Sequence, residues 1–272
     1  MVRGCRYGTA ALRFTHVVTH REFGFAMAVR DFTSQRVFVE ASLAAARAVV
    51  CSEDQAHYLR SVLRMEAGRE VLVFNGRDGE WRAQLRPEGK RGAVLDILCL
   101  ERPQATGPDL WYLFAPIKRA RLDYMVQKAV ELGVSRLMPI LTQHTNAERF
   151  NIDRARANVI EAAEQCGVLN VPEVAEPVKL TAALATWPRE RALIFCDEAA
   201  APANPLTTLA QVPPGPLAVL IGPEGGFSDT ERQMIAAQTV AHPVSLGPRI
   251  MRADTAAIAA LAVVQAVLGD WR

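Results

Sequence analysis

The stretch from Leu217 to Leu268 constrains the fold more than any other, because it repeats one pattern twice: an apolar run, a glycine-containing loop, a helix. Leu217 to Ile221 and Val244 to Leu246 are the apolar runs, and in parallel α/β sheets ligands collect beyond the carboxyl ends of such strands. The first loop, Gly222-Pro223-Glu224-Gly225-Gly226, turns sharply and allows close approach, since glycine tolerates positive φ and has no Cβ. Ser228-Asp229-Thr230-Glu231 follows as a capping box and fixes where the next helix starts. The second loop, Leu246 to Arg252, carries Arg249 and Arg252 and enters a helix with Asp254 and Thr255 in its first turn. Asp254 suits the positive end of a helix dipole as well as a catalytic role. The helix from Ala256 to Leu268 is apolar nearly all round, the mark of an element buried in a core or a subunit interface.

Some function classes drop out at once. The phosphate-cradling G-x-x-x-x-G-K-[ST] pattern and the dinucleotide G-x-G-x-x-G pattern are absent, and Glu224 would set a carboxylate against any phosphate. A plain strand-to-helix turn and a ligand loop both remain open readings of the first loop taken alone. With a formal net charge of +2 over 272 residues, any nucleic-acid contact must come from local basic patches. Cys5, Cys51, Cys99, Cys166 and Cys196 lie scattered without a C-x-x-C pair and read as reduced cytosolic thiols. The histidines form no ligand spacing with them, so no metal is expected. No stretch has the length and apolarity to span a bilayer, so a soluble, cytoplasmic protein without a membrane partner is expected. Residues 1–30 are basic and lack an apolar signal-peptide region; they are expected to be a disordered or non-native leader, with Met27 a natural start.

The chain then divides in two. From Arg36 to about Leu100 it is β-rich: Arg69 to Phe74 and Glu80 to Leu85 are strand runs around the turn signals Asn75-Gly76 and Asp78-Gly79, and Ala93 to Leu100 is another. A short helix, His57 to Arg64, is expected to bury Leu59, Val62 and Leu63 and to set Arg60 and Arg64 together opposite, as a solvated face or as phosphate contacts. Glu101 to Asp109 has the prolines and glycine of a linker, giving expected domains over 31–101 and 109–272. Beyond it strands and helices alternate, which predicts a parallel sheet covered by helices. Strands are expected at Trp111 to Ile117, Val134 to Leu141 and Ala192 to Cys196. Helices are expected at Arg121 to Leu132 and Ile152 to Cys166, each followed by a glycine. In the first helix Leu122, Met125, Val126 and Ala129 form the buried stripe. Lys128 and Glu131 on the other stripe suit a surface ion pair.

Ile221 to Ser228 (IGPEGGFS) and Ser245 to Arg252 (SLGPRIMR), together with Lys118 to Val134, resemble the motifs of the RsmE family, the 16S ribosomal RNA uridine-N3 methyltransferases. The resemblance runs over roughly Arg36 to Asp270. It implies a SPOUT-type α/β parallel sheet with a C-terminal trefoil knot, preceded by a small PUA-like β-barrel that binds RNA. It implies S-adenosylmethionine as cofactor, held by Phe195, Cys196, Ile221, Gly222, Gly225, Leu246, Gly247, Ile250, Met251 and Thr255, with Asp197 nearby. Arg252 is the expected catalytic stabiliser of charge on the uracil, and Glu224 the candidate proton acceptor, with Asp254 as the other choice. Arg36, Arg60, Arg64, Lys118, Arg121 and Lys128 become candidates for RNA contact. The implied partners are 16S rRNA in the small ribosomal subunit and a second copy of the chain in a homodimer. Where the family often has Arg-Thr-Glu-Thr, this chain has Arg252-Ala253-Asp254-Thr255, so any role of that glutamate passes to a shorter side chain. A related methyltransferase acting on another RNA such as tRNA, and a non-catalytic RNA-binding protein, are the competing readings.

Overall fold

Turn chemistry organises the amino-terminal sheet. Asn75 Oδ1 accepts the amides of Arg77 and Asp78 at 3.1 and 2.9 Å, and Asp78 in turn accepts the Leu43 amide at 2.9 Å. These bonds reverse the chain between two strands and tether a distant loop to the reversal. A computed structural model describes residues 31, 33–145, 150–198, 200 and 204–271; the expected leader, residues 1–30, lies outside the described residues. The strands are β1 (Arg36–Phe38), β2 (Ala48–Val50), β3 (Glu70–Phe74), β4 (Glu80–Glu88) and β5 (Gly92–Arg102), with helix α1 (Glu53–His57) between the second and third. They form one sheet in the order β1-β3-β4-β5-β2, in which β1 runs parallel to β3 and the other pairs are antiparallel. Leu59, Val71, Val73, Leu85 and Leu95 are the centre of its core.

The helix expected over 57–64 is corrected. α1 ends at His57 and a π-turn follows over Tyr58–Val62, closed by the Leu63 amide donating to the Tyr58 carbonyl at 2.9 Å. The wider ring breaks the 3.6-residue period. Leu59 is buried, but Val62 is 59% exposed. Arg64 leaves the helix altogether, with φ of 52°, so Arg60 and Arg64 do not share a helical face.

The second part alternates strand and helix. In chain order it comprises β6 (Leu110–Phe114), α2 (Arg119–Glu131), β7 (Arg136–Leu141), α3 (Ile152–Cys166), β8 (Glu173–Val174), β9 (Val178–Lys179), α4 (Leu180–Ala185) and β10 (Ala192–Cys196). It continues with α5 (Pro205–Leu209), β11 (Leu217–Ile221), α6 (Asp229–Ala236), β12 (Ala241–Val244) and α7 (Ala253–Val267). The sheet order is β12-β10-β11-β6-β7-β8, with β9 pairing β7, and every pairing is parallel. The strand expected over Val244 to Leu246 lies earlier, at Ala241–Val244, because the chain pairs with β10 before it reaches the loop. β12 pairs β10 alone, and its Pro243, which has no amide to donate, sits on that edge. The opposite side of the sheet ends in β8 and β9, two residues each.

Each face of this sheet has its own core. Tyr112, Phe114, Met125, Val159, Val219, Leu261 and Val264 fill one side beneath α2, α3 and α7. Leu113, Ile140, Leu193, Phe195, Leu220 and Ile235 fill the other. α7 is fixed on the first side by the buried Gln265, whose Nε2 donates to the Leu132 carbonyl at 2.6 Å and whose Oε1 accepts the Asp270 amide at 3.1 Å. One side chain thereby satisfies a carbonyl at the end of α2 and pins the chain that leaves α7. Among the described residues no helix is long and apolar enough to cross a membrane.

The two sheets meet at a buried ionic node. Glu80 is 1% exposed and accepts from Arg36 Nε at 2.9 Å and from Arg102 Nε at 2.7 Å; Arg102 also donates to the Gly167 carbonyl, at the end of α3, at 3.0 Å. Arg36, a candidate RNA contact, is therefore corrected: it is 6% exposed and its charge is spent inside the protein. Beside the node the Phe38 amide donates to Glu164 Oε1 at 2.8 Å. Burial raises the Glu164 carboxyl above its ordinary value of 4.5, partly offset by the Phe38 amide. The folded state thus keeps this proton to higher pH than the unfolded chain, so the group favours folding at low pH and loses that contribution as pH rises above 4.5. Glu164→Gln, which retains an oxygen for Phe38, is expected to remove that component of the fall in stability with rising pH; denaturant titrations from pH 4 to 7 with an unchanged slope would show the carboxyl to be uncoupled from folding.

Candidate functional site

Three parallel strands, β10, β11 and β12, end side by side, and the loops that leave them enclose a cavity of about 440 Å³. That is within the ordinary range for small-molecule sites. Its walls come from Cys196, Asp197, Glu198 and Ala200 at and beyond the end of β10, Ile221 to Glu224 with Gly226 and Phe227 at and beyond the end of β11, and Val244 to Met251 at and beyond the end of β12; Arg232, Ala253 and Ala256 complete them.

The first loop is held from both sides. Ser228 caps α6 with both bonds of the capping box formed, and the buried Glu231 that completes the box also accepts the Gln143 amide at 2.8 Å. The loop after β7 is thereby pinned to the loop after β11. His144 continues the contact, its Nδ1 lying 3.1 Å from the carbonyl oxygens of both Gly225 and Gly226. Because both partners are acceptors, Nδ1 carries the proton. Gly222 needs to be glycine for packing: a Cβ there would lie 2.6 Å from the ring of Phe227, which is itself wedged edge-on against Phe195 with centroids 5.2 Å apart. Gly222→Ala is expected to lower stability by about 1–3 kcal/mol through overpacking. An unchanged denaturant midpoint would mean that the ring swings aside without cost.

The charges are paired across the cavity mouth. Arg232 reaches Asp197 at 3.4 Å and Glu198 at 3.3 Å, while Arg121 of α2 lies 3.7 Å from Glu224 and 4.0 Å from Asp254. In the core beside β11, the buried Tyr112 hydroxyl donates to Met125 Sδ at 3.0 Å, and burial, then Cys196 and Asp254, hold it well above the ordinary tyrosine range. Burial pushes the Cys196 thiol up to about 12, so it stays protonated at neutral pH and is no nucleophile.

Of the residues singled out in the sequence, Cys196, Ile221, Gly222, Glu224, Leu246, Gly247, Ile250 and Met251 come together on these walls. Four do not. Phe195 is buried in the core on the other face of the sheet, because its side chain alternates away from that of Cys196. Gly225 faces His144, with its Cβ position 3.2 Å from the histidine's Cβ. Thr255 and Arg252 are exposed at the start of α7 and do not line the cavity, whereas Arg249 does. Sequence reasoning missed Arg232, although its place four residues after the N-cap Ser228 sets it in the first turn of α6, next to the loop. Among the basic candidates, Lys118 and Arg64 are exposed. Arg60 donates to the Gly92 carbonyl at 2.7 Å. Lys128 is bound to Glu131 at 2.6 Å and lies 5.4 Å from the Tyr124 ring centre. Among the described residues no group of three or more His, Cys, Asp or Glu side chains is arranged to hold a metal.

Comparison with known proteins agrees with this architecture. Residues 105–265 match the RNA methyltransferase domain family, and residues 52–98 match the RNA methyltransferase PUA domain. The ribosomal RNA small subunit methyltransferase E of Synechocystis is 31% identical over 248 residues, 90% of this chain and 79% of that protein. Its namesake from Rickettsia conorii is 28% identical over 232 residues, 85% of this chain and 94% of that one. The crystal structure of the Neisseria gonorrhoeae ribosomal RNA small subunit methyltransferase E, bound to S-adenosyl methionine, superposes with a TM-score of 0.81 at 26% identity and covers 88% of this chain and 100% of its own. Both halves of the fold, and the loops that frame the cavity, lie within these matches: the chain belongs to the ribosomal RNA small subunit methyltransferase E family.

Proposed function

We propose that this chain is an S-adenosylmethionine-dependent methyltransferase that modifies N3 of a uridine in 16S ribosomal RNA. The observation that carries the reading is the cavity at the ends of β10, β11 and β12, framed by both glycine loops, in a family whose Neisseria gonorrhoeae member holds S-adenosyl methionine. The lining suits that cofactor. Ile221, Leu246, Met251 and Ala256 offer apolar walls for a heteroaromatic ring, and Asp197 and Glu198, paired with Arg232, add a polar edge. Gly247, at φ of 104°, has nothing within 4 Å of its Cβ position, so the backbone there is open to close approach.

When bound, S-adenosylmethionine supplies an electrophilic methyl group. The residues of the chain position the base and manage its proton. In this reading Glu224 accepts the N3 proton, leaving the N–H electron pair on nitrogen as the nucleophile. The apolar walls exclude water. Holding the reactants in line supplies about 7–11 kcal/mol in favourable cases. In the same reading Arg252, at the start of α7, stabilises charge developing on the uracil oxygens, with Arg249 on the wall as a second cation. The exposed Arg64 and Lys118 are the RNA contacts of this reading, on a PUA-like domain over 31–101 and a methyltransferase domain over 109–272. A trefoil crossing is also part of it, supported by α7 leaving the edge strand β12 yet packing against α2, across the sheet. So are a cytoplasmic setting and a homodimer, the homodimer supported by the half-buried apolar face of Ile258, Ala259, Ala262 and Val263 on α7.

The test joins calorimetric titration of S-adenosylmethionine with mass-spectrometric mapping of 16S rRNA from a deletion strain. Cofactor binding, with loss of one N3-methyluridine that the gene restores, is the expected result. Cofactor binding with that uridine still methylated redirects the assignment to another RNA, and no binding by folded protein removes the enzyme reading.

A further inference from the structure

Arg121 stands in the first turn of α2, beyond the end of β6, the strand that pairs with β11. Its motif suggests RNA contact, yet its guanidinium faces two carboxylates drawn from two separate segments. Nη1 is 3.7 Å from Glu224 Oε1 in the glycine loop after β11, and Nε is 4.0 Å from Asp254 Oδ2 in the first turn of α7. The two acids differ in how firmly they are set. The Asp254 side chain is 18% exposed and its Oδ1 accepts the Thr255 amide at 3.0 Å. Glu224 lines the cavity with its side chain 42% exposed, on a loop whose following glycines restrict the backbone little. A planar guanidinium with several donors can serve two such partners at once, where a point charge cannot fix both.

We propose that Arg121 is a positioning residue: anchored by Asp254, it holds the Glu224 carboxylate at the cavity wall in the orientation that accepts the proton, and it ties the loop after β11 to the start of α7. The orienting role rests on the reading of the cavity as a methyl-transfer site; the tie between loop and helix does not. Asp254 is thereby assigned to anchoring and Glu224 to the proton, which separates two acids that the sequence leaves equivalent.

The experiment compares the full-length chain with Arg121→Gln and Arg121→Lys. For Arg121→Gln, kcat on 16S RNA is expected to fall about 10- to 100-fold with KM for RNA within about threefold, and Arg121→Lys, which keeps the charge but can hold only one of the two acids, regains only a minor part of the loss. In the ligand-free protein, hydrogen exchange at the Glu224, Gly225 and Gly226 amides is expected to speed up about two- to fivefold in Arg121→Gln, the scale of a partly exposed ion pair. A raised KM with unchanged kcat would make Arg121 an RNA contact and overturn the proposal, as would unchanged exchange at the loop. If the wild-type chain transfers no methyl group to RNA, the functional reading fails, while the exchange measurement still decides whether the tie exists.

Discussion

Glu80→Ala is expected to cost about 3–5 kcal/mol of stability, because it leaves two guanidinium groups, Arg36 and Arg102, in a dry interior without their counter-charge. Both lie within 3.0 Å of the Glu80 carboxylate, and their side chains are only 7% and 13% exposed. At about 2–4 °C per kcal/mol for a chain of this size, the unfolding midpoint should fall by roughly 6–20 °C. The effect belongs to breaking the node and not to its presence. Replacing Arg36, Glu80 and Arg102 together with apolar side chains of matched volume should be far milder, since a buried ion triad returns little more than its desolvation cost. A single-mutant loss below about 1 kcal/mol would show that water reaches the node and solvates the orphaned arginines.

Glu224→Gln is expected to lower kcat by about 10²- to 10⁴-fold, the range for removing a positioned general base, while cofactor affinity measured by calorimetry changes by less than about fivefold, since the amide preserves the shape of the wall. Glu224→Asp should fall between, because its carboxylate is one methylene short of the same point. Full turnover by the glutamine variant would remove Glu224 from the chemistry and leave Asp254 as the acid to examine.

What the sequence made legible follows the range of the forces involved. α3 begins and ends at the residues read from the sequence, Ile152 and Cys166, because both ends are written locally: the Asn151 side chain accepts the Arg154 amide at 3.0 Å, and Gly167 takes φ of 64°. The capping box at Ser228 is equally local. β8, β9, α4 and α5 escaped, since runs of two to six residues carry no usable period and exist by docking on neighbours. Arg36 looked like a surface cation, and only Glu80, 44 positions later, decides otherwise. The cavity shows the same division. Glycines and the capping residue announced the loops, but strand alternation turned Phe195 away from the wall while Cys196 stayed on it, and the cross-pairing of Arg121 with two acids at 3.7 and 4.0 Å joins parts of the chain more than a hundred positions apart.

The borders of the parallel sheet have a consequence for how this molecule behaves in a crowded solution. One border strand carries Pro243, and the other side closes with strands of two residues. A long, straight border would offer unpaired amides and carbonyls as a template for neighbouring chains, the first step toward fibrous aggregation. Here the template is interrupted at one side and too brief at the other. Growth of the sheet from molecule to molecule is discouraged, and contacts between copies are left to helical surfaces, where side chains and not backbone select the partner.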